Sequence, residues 1–135
     1  MTTNETSIFT KIINREIPGF IPYQTENVAV LITLEGHPIV VPKKQFKDIF
    51  ELPDNIAAEI MQTAVKISKA LQLATQCEGV NLIQSNGIVA GQDVFHFHLH
   101  IKPRFKNDEV KFTWDTSTKP EEMRNELSES IKSAL

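Results

Sequence analysis

The chain reads as an α+β protein, an antiparallel five-stranded sheet with one long helix packed on it and short helices towards the termini. Three features predict this. Strand-like segments broken by glycine and proline turns fall in two groups, at 20–42 and 80–101. A single long amphipathic stretch at 55–75 separates them, and the run 94–101 alternates between large apolar residues and histidine.

In chain order, residues 7–15 form a short helix, with Ile8, Phe9 and Ile12 at helical spacing and a stop before Pro18-Gly19. Residues 20–24 and 26–34 are strands, and Gly36 turns the chain into a third strand at 38–42. A helical turn is expected at 45–50. After Pro53, Asp54 caps the long helix at 55–75, whose apolar stripe is Ile56, Ile60, Ala64, Ile67 and Leu71 and whose end is marked by Gly79. Strands at 80–85 and 94–101 complete the sheet. Thr118-Lys119-Pro120-Glu121 has the form of a capping box with proline in the first turn, so a last helix is expected at 119–133. Its Met123, Leu127, Ile131 and Leu135, four residues apart, are expected to pack on the helix's own domain. Trp114 fits the core, a subunit interface or a wall of the neighbouring subunit's site equally well.

With 135 residues, 41% hydrophobic and 23% charged, the chain forms one domain, 1–135, with 106–135 as a C-terminal extension. A net charge of −3 and a pI near 5.8 give no general attraction to nucleic-acid polymers, so a nucleotide ligand should be small and held locally. The one cysteine, Cys77, excludes an intramolecular disulfide and fits a reducing compartment. The opening Met1-Thr2-Thr3-Asn4-Glu5-Thr6 lacks the basic and apolar regions of a secretory signal, and no apolar run approaches the roughly 20 residues of a membrane span. A cytoplasmic protein without membrane contact is expected.

Three of the four histidines, His96, His98 and His100, alternate with Phe95, Phe97, Leu99 and Ile101. On a strand this places three imidazoles on one face and the apolar groups on the other. Three readings are open. The histidines are the polar half of a half-buried strand; or they bind a metal; or the central one is a nucleophile that its neighbours orient. A His-x-His pair can share one ion at Zn–N distances of about 2.0 Å, but the outer two lie about 13 Å apart at Cα. A metal would therefore need ligands from elsewhere, where His37 and Cys77 are the remaining histidine and cysteine. The nucleophilic reading draws support from the preceding stretch Ser85 to Asp93, whose two glycines and two carboxamides suit a loop that approaches an anion closely.

Taken together, Asn86-Gly87, Gly91-Gln92-Asp93-Val94, His96-Phe97-His98-Leu99-His100-Ile101 and Pro103-Arg104 resemble the histidine triad (HIT) nucleotide hydrolases and transferases, in their Hint-like bacterial branch. The likeness also covers Ile8-Phe9-Thr10-Lys11-Ile12-Ile13, Glu16-Ile17-Pro18 and Gly36 to Lys44, so it runs from about residue 7 to 105. It implies a HIT-like fold, a homodimer, and cleavage at the α-phosphate of a purine nucleotide derivative, AMP- or GMP-like, through a covalent nucleotidyl-histidine. In that scheme His98 attacks, His100 lies nearest the leaving atom and His96 orients the site. Asn86, Gln92 and the Asp93 and Val94 amides hold the phosphate. Ile8, Phe9, Ile12 and Leu31 match positions lining the purine pocket of relatives, and each also suits the core. No metal or cofactor is called for. His37 is read as structural, and Arg104 as a solvated strand-end arginine.

The chain departs from the family pattern in three places. Ser7-Ile8-Phe9-Thr10 stands where many relatives carry a Cys-x-x-Cys zinc motif, and Gln45 where many carry a further histidine. Hydroxyls and carboxamides are poor zinc ligands. The stretch from Val28 to His37 is about four residues shorter than in typical relatives and lacks their ribose-binding Asp-Ile-Asn-Pro type sequence, leaving Glu35 as the substitute. The alternative from a different class is a non-catalytic nucleotide-binding regulatory or interaction protein.

Overall fold

A computed structural model describes residues 5–135; residues 1–4, part of the opening stretch read above for a secretory signal, lie outside the described residues. The central hairpin is built from β2 (Val28–Ile32) and β3 (Pro38–Pro42), paired antiparallel from Val28↔Pro42 to Ile32↔Pro38. Both strands are almost continuously apolar, as strands covered on both faces must be. The short β1 (Tyr23–Gln24) pairs with β2, while β5 (Leu99–Arg104) lies between β3 and β4 (Gly79–Ile83). All four pairings are antiparallel and the order is β1-β2-β3-β5-β4, which confirms the five-stranded α+β fold.

Alternation along each strand separates two cores. On one face Val28, Val30, Val40, Phe97, Leu99 and Ile101 pack with Ile60 and Ala64 of the long helix α2 (Asp54–Thr75). Ile56, Ile67 and Leu71 extend that contact, so the stripe expected of this helix is the one it buries. On the other face Ala29, Leu31, Ile39 and Val41 meet Phe9, Ile12 and Ile13 of α1 (Ile8–Ile13) and Ile21. At about 1.5–3 kcal/mol per fully buried aliphatic side chain, the two layers hold the sheet from both sides and fix which histidines face which core.

Several boundaries differ from expectation, each for a local reason. The turn at 45–50 is not helical, because the carbonyls a helix would use are bonded elsewhere: Phe46 O accepts from Phe97 N–H and Lys47 O from the Gln92 carboxamide. Only tight turns across 48–52 remain. Pro53, not Asp54, occupies the N-cap of α2, with Asp54 as an acidic first-turn residue; Gln76, in the left-handed region at φ 57°, ends the helix before Gly79, which opens β4. The last strand begins at Leu99 and runs on to Arg104, so His96 and His98 stand on its irregular approach.

The last helix, α3, spans Glu121–Ala134 behind Pro120, without a side-chain cap from Thr118. Its Met123, Leu127 and Ile131 are exposed, so α3 does not pack on its own domain as expected. Trp114 is exposed too, which removes the core from its three readings. Arg104 is not a solvated arginine: its guanidinium makes a two-point ion pair with Asp108, at 2.7 and 3.1 Å, and also reaches Asn81 and the Val110 carbonyl. It thereby ties the start of the extension to β4 and β5.

Candidate active site

The loop before β5 is shaped by two glycines and two carboxamides. Gly87 and Gly91 hold φ of 93° and 96°, values open to glycine at little cost, and bracket a tight 3-10 turn at Ile88–Ala90. The Gln92 side chain is buried within this loop. Its Oε1 accepts from Gly87 N–H at 2.8 Å, and its Nε2 donates to the carbonyls of Lys47 and Val94 at 2.7 and 3.2 Å. Asn86 accepts from Ile49 N–H at 2.8 Å and exchanges hydrogen bonds with Gln84. Both carboxamides therefore brace the loop with their own polar atoms. The main-chain N–H groups of Asp93 and Val94 donate to no group among the described residues.

Beyond this loop the three imidazoles take different environments. His96 is fully buried, at 0% exposure, instead of facing a surface or cleft. Its Nε2 lies 2.7 Å from the Pro42 carbonyl oxygen and its Nδ1 meets the Ser7 hydroxyl. Burial holds its pKa down to about 4, so the ring is neutral at pH 7. His98 is 9% exposed, with Nδ1 2.7 Å from the carbonyl oxygen of His96. A carbonyl only accepts, so Nδ1 carries a proton, and in the neutral ring Nε2 keeps its lone pair.

His100, in β5, faces the α1 side of the sheet beside Ile39, its cross-strand partner. Its Nδ1 lies 2.8 Å from Nε2 of His37, whose own Nδ1 sits 3.4 Å from the Thr33 hydroxyl. Burial first, then the neighbouring His98 and His37, bring the His100 pKa down to about 4, against the pull of Glu35 and Asp93. Burial likewise lowers that of His37. His37 thus contacts the candidate site through His100, beyond the structural place the sequence gives it. The signal lay in register: His37 is two residues before Ile39, and diagonal neighbours on one sheet face lie within reach of aromatic rings. The rings of His98 and His100 stand edge to face with centroids 5.0 Å apart. The side chains do not converge on one metal-sized point, since His96 turns towards Pro42 and Ser7, and His100 towards His37.

Phe9 covers this group, its ring 5.0 Å from that of His98 and 5.6 Å from that of His96. Ile8 beside it is exposed. Leu31, at 2% exposure, is a core residue in the layer on which Phe9 and Ile12 pack, so it supports the wall without opening onto it. Glu35 stands at the tip of the β2–β3 hairpin next to Gly36 (φ 91°).

A HIT domain profile matches residues 14–107. The chain belongs to the HIT family. It is similar to Protein hit of Bacillus subtilis, 35% identical over 139 aligned positions that cover 97% of this chain and 95% of that one. The crystal structure of a HIT family protein from Bacillus anthracis superposes with a TM-score of 0.91 at 33% identity, covering 97% of this chain and 98% of that one. The adenosine 5'-monophosphoramidase of Saccharomyces cerevisiae is 35% identical over 107 positions, 76% of this chain and 65% of that protein. The HIT-domain match contains His37, the loop from Asn86 to Val94 and all three histidines of the row, and it leaves Ser7, Thr10 and most of the C-terminal extension outside.

Proposed function

We propose that this HIT protein is a nucleotide hydrolase or transferase that cleaves at the α-phosphate of a purine nucleotide derivative, AMP- or GMP-like, through a nucleotidyl-histidine on His98. The observation that carries the reading is the 2.7 Å bond from His98 Nδ1 to the His96 carbonyl, which places a proton on Nδ1 and fixes the ring's direction, so that the neutral ring presents Nε2 as the nucleophile. The phosphoramidase activity named for the yeast relative supports an adenylate bearing an amine leaving group.

The chemistry balances as follows. His98 Nε2 forms a bond to the α-phosphorus while the bond to the leaving group breaks; His100 Nε2–H hydrogen-bonds the departing atom, which takes its proton from a water molecule. The hydroxide left by that water then attacks phosphorus and the P–N bond to His98 breaks, while His100 keeps its proton throughout. The net reaction consumes one water and releases a nucleoside monophosphate and the protonated leaving group. His37 sets up His100 for this role. With Thr33 donating to His37 Nδ1 and His37 Nε2–H donating to His100 Nδ1, the His100 proton sits on Nε2. The Asp93 and Val94 amides hold the phosphate oxygens, with Asn86 and Gln92 bracing their loop; Ile8 and Phe9 flank the base, and Glu35 replaces the usual ribose-binding aspartate.

A homodimer completes the reading. β4 is an outer strand of the sheet, with Leu82 exposed, and α2 exposes Met61, Val65 and Leu73 on the side away from the core. No helix among the described residues is long and apolar enough to cross a membrane, and the single buried cysteine supports a cytoplasmic location.

A turnover panel of adenosine and guanosine phosphoramidates against dinucleoside polyphosphates tests the assignment. Release of AMP or GMP with burst kinetics is expected. The short β2–β3 connection favours one second reading, a regulatory protein that binds nucleotide without consuming it. Tight AMP binding with no turnover on any member of the panel selects that reading.

A further inference from the structure

Four polar side chains from three separate segments meet behind the nucleophile: Ser7 and Thr10 of the first helix and its cap, Gln45 after β3, and His96. The shortest contacts of this group admit a consistent set of donors and acceptors, with the Thr10 hydroxyl a more distant second neighbour of His96 Nδ1 at 3.5 Å. The Pro42 carbonyl only accepts, so His96 Nε2 donates to it at 2.7 Å. The neutral ring then has an acceptor at Nδ1, and the Ser7 hydroxyl donates to it. Ser7 Oγ accepts in turn from Thr10 N–H at 3.1 Å, with the Thr10 hydroxyl 3.2 Å away, which also caps α1. Gln45 closes the group. Its Oε1 accepts from Ser7 N–H at 2.8 Å and its Nε2 donates to the carbonyls of Glu5 and Phe95, at 2.8 and 3.3 Å.

A zinc ion does not fit these residues. Three of the four side chains offer neutral hydroxyl or carboxamide groups, which are poor zinc ligands, and Nδ1 of the fourth, His96, is hydrogen-bonded to the Ser7 hydroxyl.

The group reaches the reacting atom through one peptide unit. The His96 C=O that takes the His98 Nδ1–H shares its peptide plane with Phe97 N–H, which donates to Phe46 O at 2.7 Å. On the other side of His96, Gln45 holds the Phe95 carbonyl. We infer that Ser7, braced by Thr10 and Gln45, is a metal-free positioning residue for the proposed reaction: its hydroxyl locks the His96 ring and, through the His96 carbonyl, holds His98 as the Nδ1–H tautomer with Nε2 free.

This inference rests on His98 as the nucleophile, and its test includes a readout independent of turnover. In 15N-resolved NMR of the imidazoles in EDTA, the full-length protein should show His96 as the Nε2–H tautomer and His98 as the Nδ1–H tautomer. Ser7→Ala should mix the His98 tautomers and lower kcat by about tenfold or more with KM within about threefold. Ser7→Thr, which keeps both the hydroxyl and the cap, should restore the wild-type tautomers and most of kcat. Should Ser7→Ala fail to fold, Ser7→Cys keeps the shape with a weaker donor and should show the same changes in smaller measure. Ser7→Ala or Ser7→Cys with wild-type tautomers and kcat within twofold overturns the inference. Wild-type protein lacking turnover on every substrate defeats the proposed reaction instead, and the tautomer comparison still decides whether Ser7 positions His98.

Discussion

His98 bonds back to the chain two residues before it: its Nδ1 lies 2.7 Å from the carbonyl oxygen of His96. That contact orients the ring and assigns its proton, two tasks that in many nucleophile–base pairs fall to separate side chains. His96 is therefore required for its place in the backbone as well as for its ring. The fully buried imidazole pins that backbone at two points, Pro42 O and Ser7 Oγ.

If His98 attacks phosphorus, His98→Ala abolishes turnover, since no other imidazole has a free nitrogen at the same position. His98→Asn keeps much of the ring's size and polarity, and nucleotide binding should change by no more than about 1.4 kcal/mol, one decade in affinity. A radiolabelled substrate should leave an acid-labile, base-stable label on His98. Isothermal titration with AMP and quenched-flow labelling check the two halves. Near-wild-type turnover by His98→Asn would move the nucleophile elsewhere.

The 2.8 Å contact between His37 and His100 predicts a dependence on the leaving group. A hydrogen bond to the leaving group matters most when the departing atom is basic. His37→Ala should therefore lower kcat about tenfold or more for an amine leaving group and much less for a nitrophenolate, which departs unaided. Steady-state kinetics on the two substrates make the comparison. Equal losses on both would mean that His37 serves only to pack the hairpin.

Much of this was legible in the sequence, and the rest was hidden for definite reasons. β3 occupies the residues expected of it, and Phe97, Leu99 and Ile101 share the α2 face as alternation requires. Alternation also implied that His96 joins the others on an open face. It fails there because the chain before Leu99 leaves the ladder to bond Phe46, and the His96 ring turns into the interior. The His37–His100 contact depends on the register of β3 against β5, which pairs segments some sixty residues apart and has no local signature. Gln92 and Asn86 carried the right signal, polar residues in a glycine-bearing loop, but their bonds to Lys47, Ile49 and Gln84 could be seen only in three dimensions.

Burial of neutral imidazoles makes stability depend on pH in a stated direction. His96 has its pKa lowered from 6.5 to about 4 in the folded chain, and His100 likewise. Between those values the unfolded chain binds more protons, so this stability is fully present above about pH 6.5 and is lost as pH falls towards 4. His96 alone contributes a slope of up to about 1.4 kcal/mol per pH unit in that window. Urea midpoints measured from pH 7.5 to 5 should fall steadily, above the range where most carboxylates titrate. His96→Asn should flatten the slope even though it lowers stability throughout. A midpoint that stays level or rises on acidification contradicts the buried neutral state.

The sheet order predicts the assembly. β4 lies at the edge, pairing with β5 on one side, and an exposed edge strand with apolar side chains invites a further strand. Leu82 on β4 and Met61, Val65 and Leu73 on α2 supply apolar surface on the edge strand and on the helix that packs over β3 and β5. A two-fold contact between two such edges would extend the sheet across the pair and cover the helices together, with the same residues used on both sides. Light scattering at micromolar protein should give twice the 15.3 kDa chain mass, and the melting temperature should rise with protein concentration. Leu82→Lys combined with Val65→Glu places charge on both elements and should shift the mass to that of one chain while leaving the β2–β3–β5 core folded. A single-chain mass for the unmodified protein across that concentration range would show that the β4 edge is left open, and that the site works within one copy.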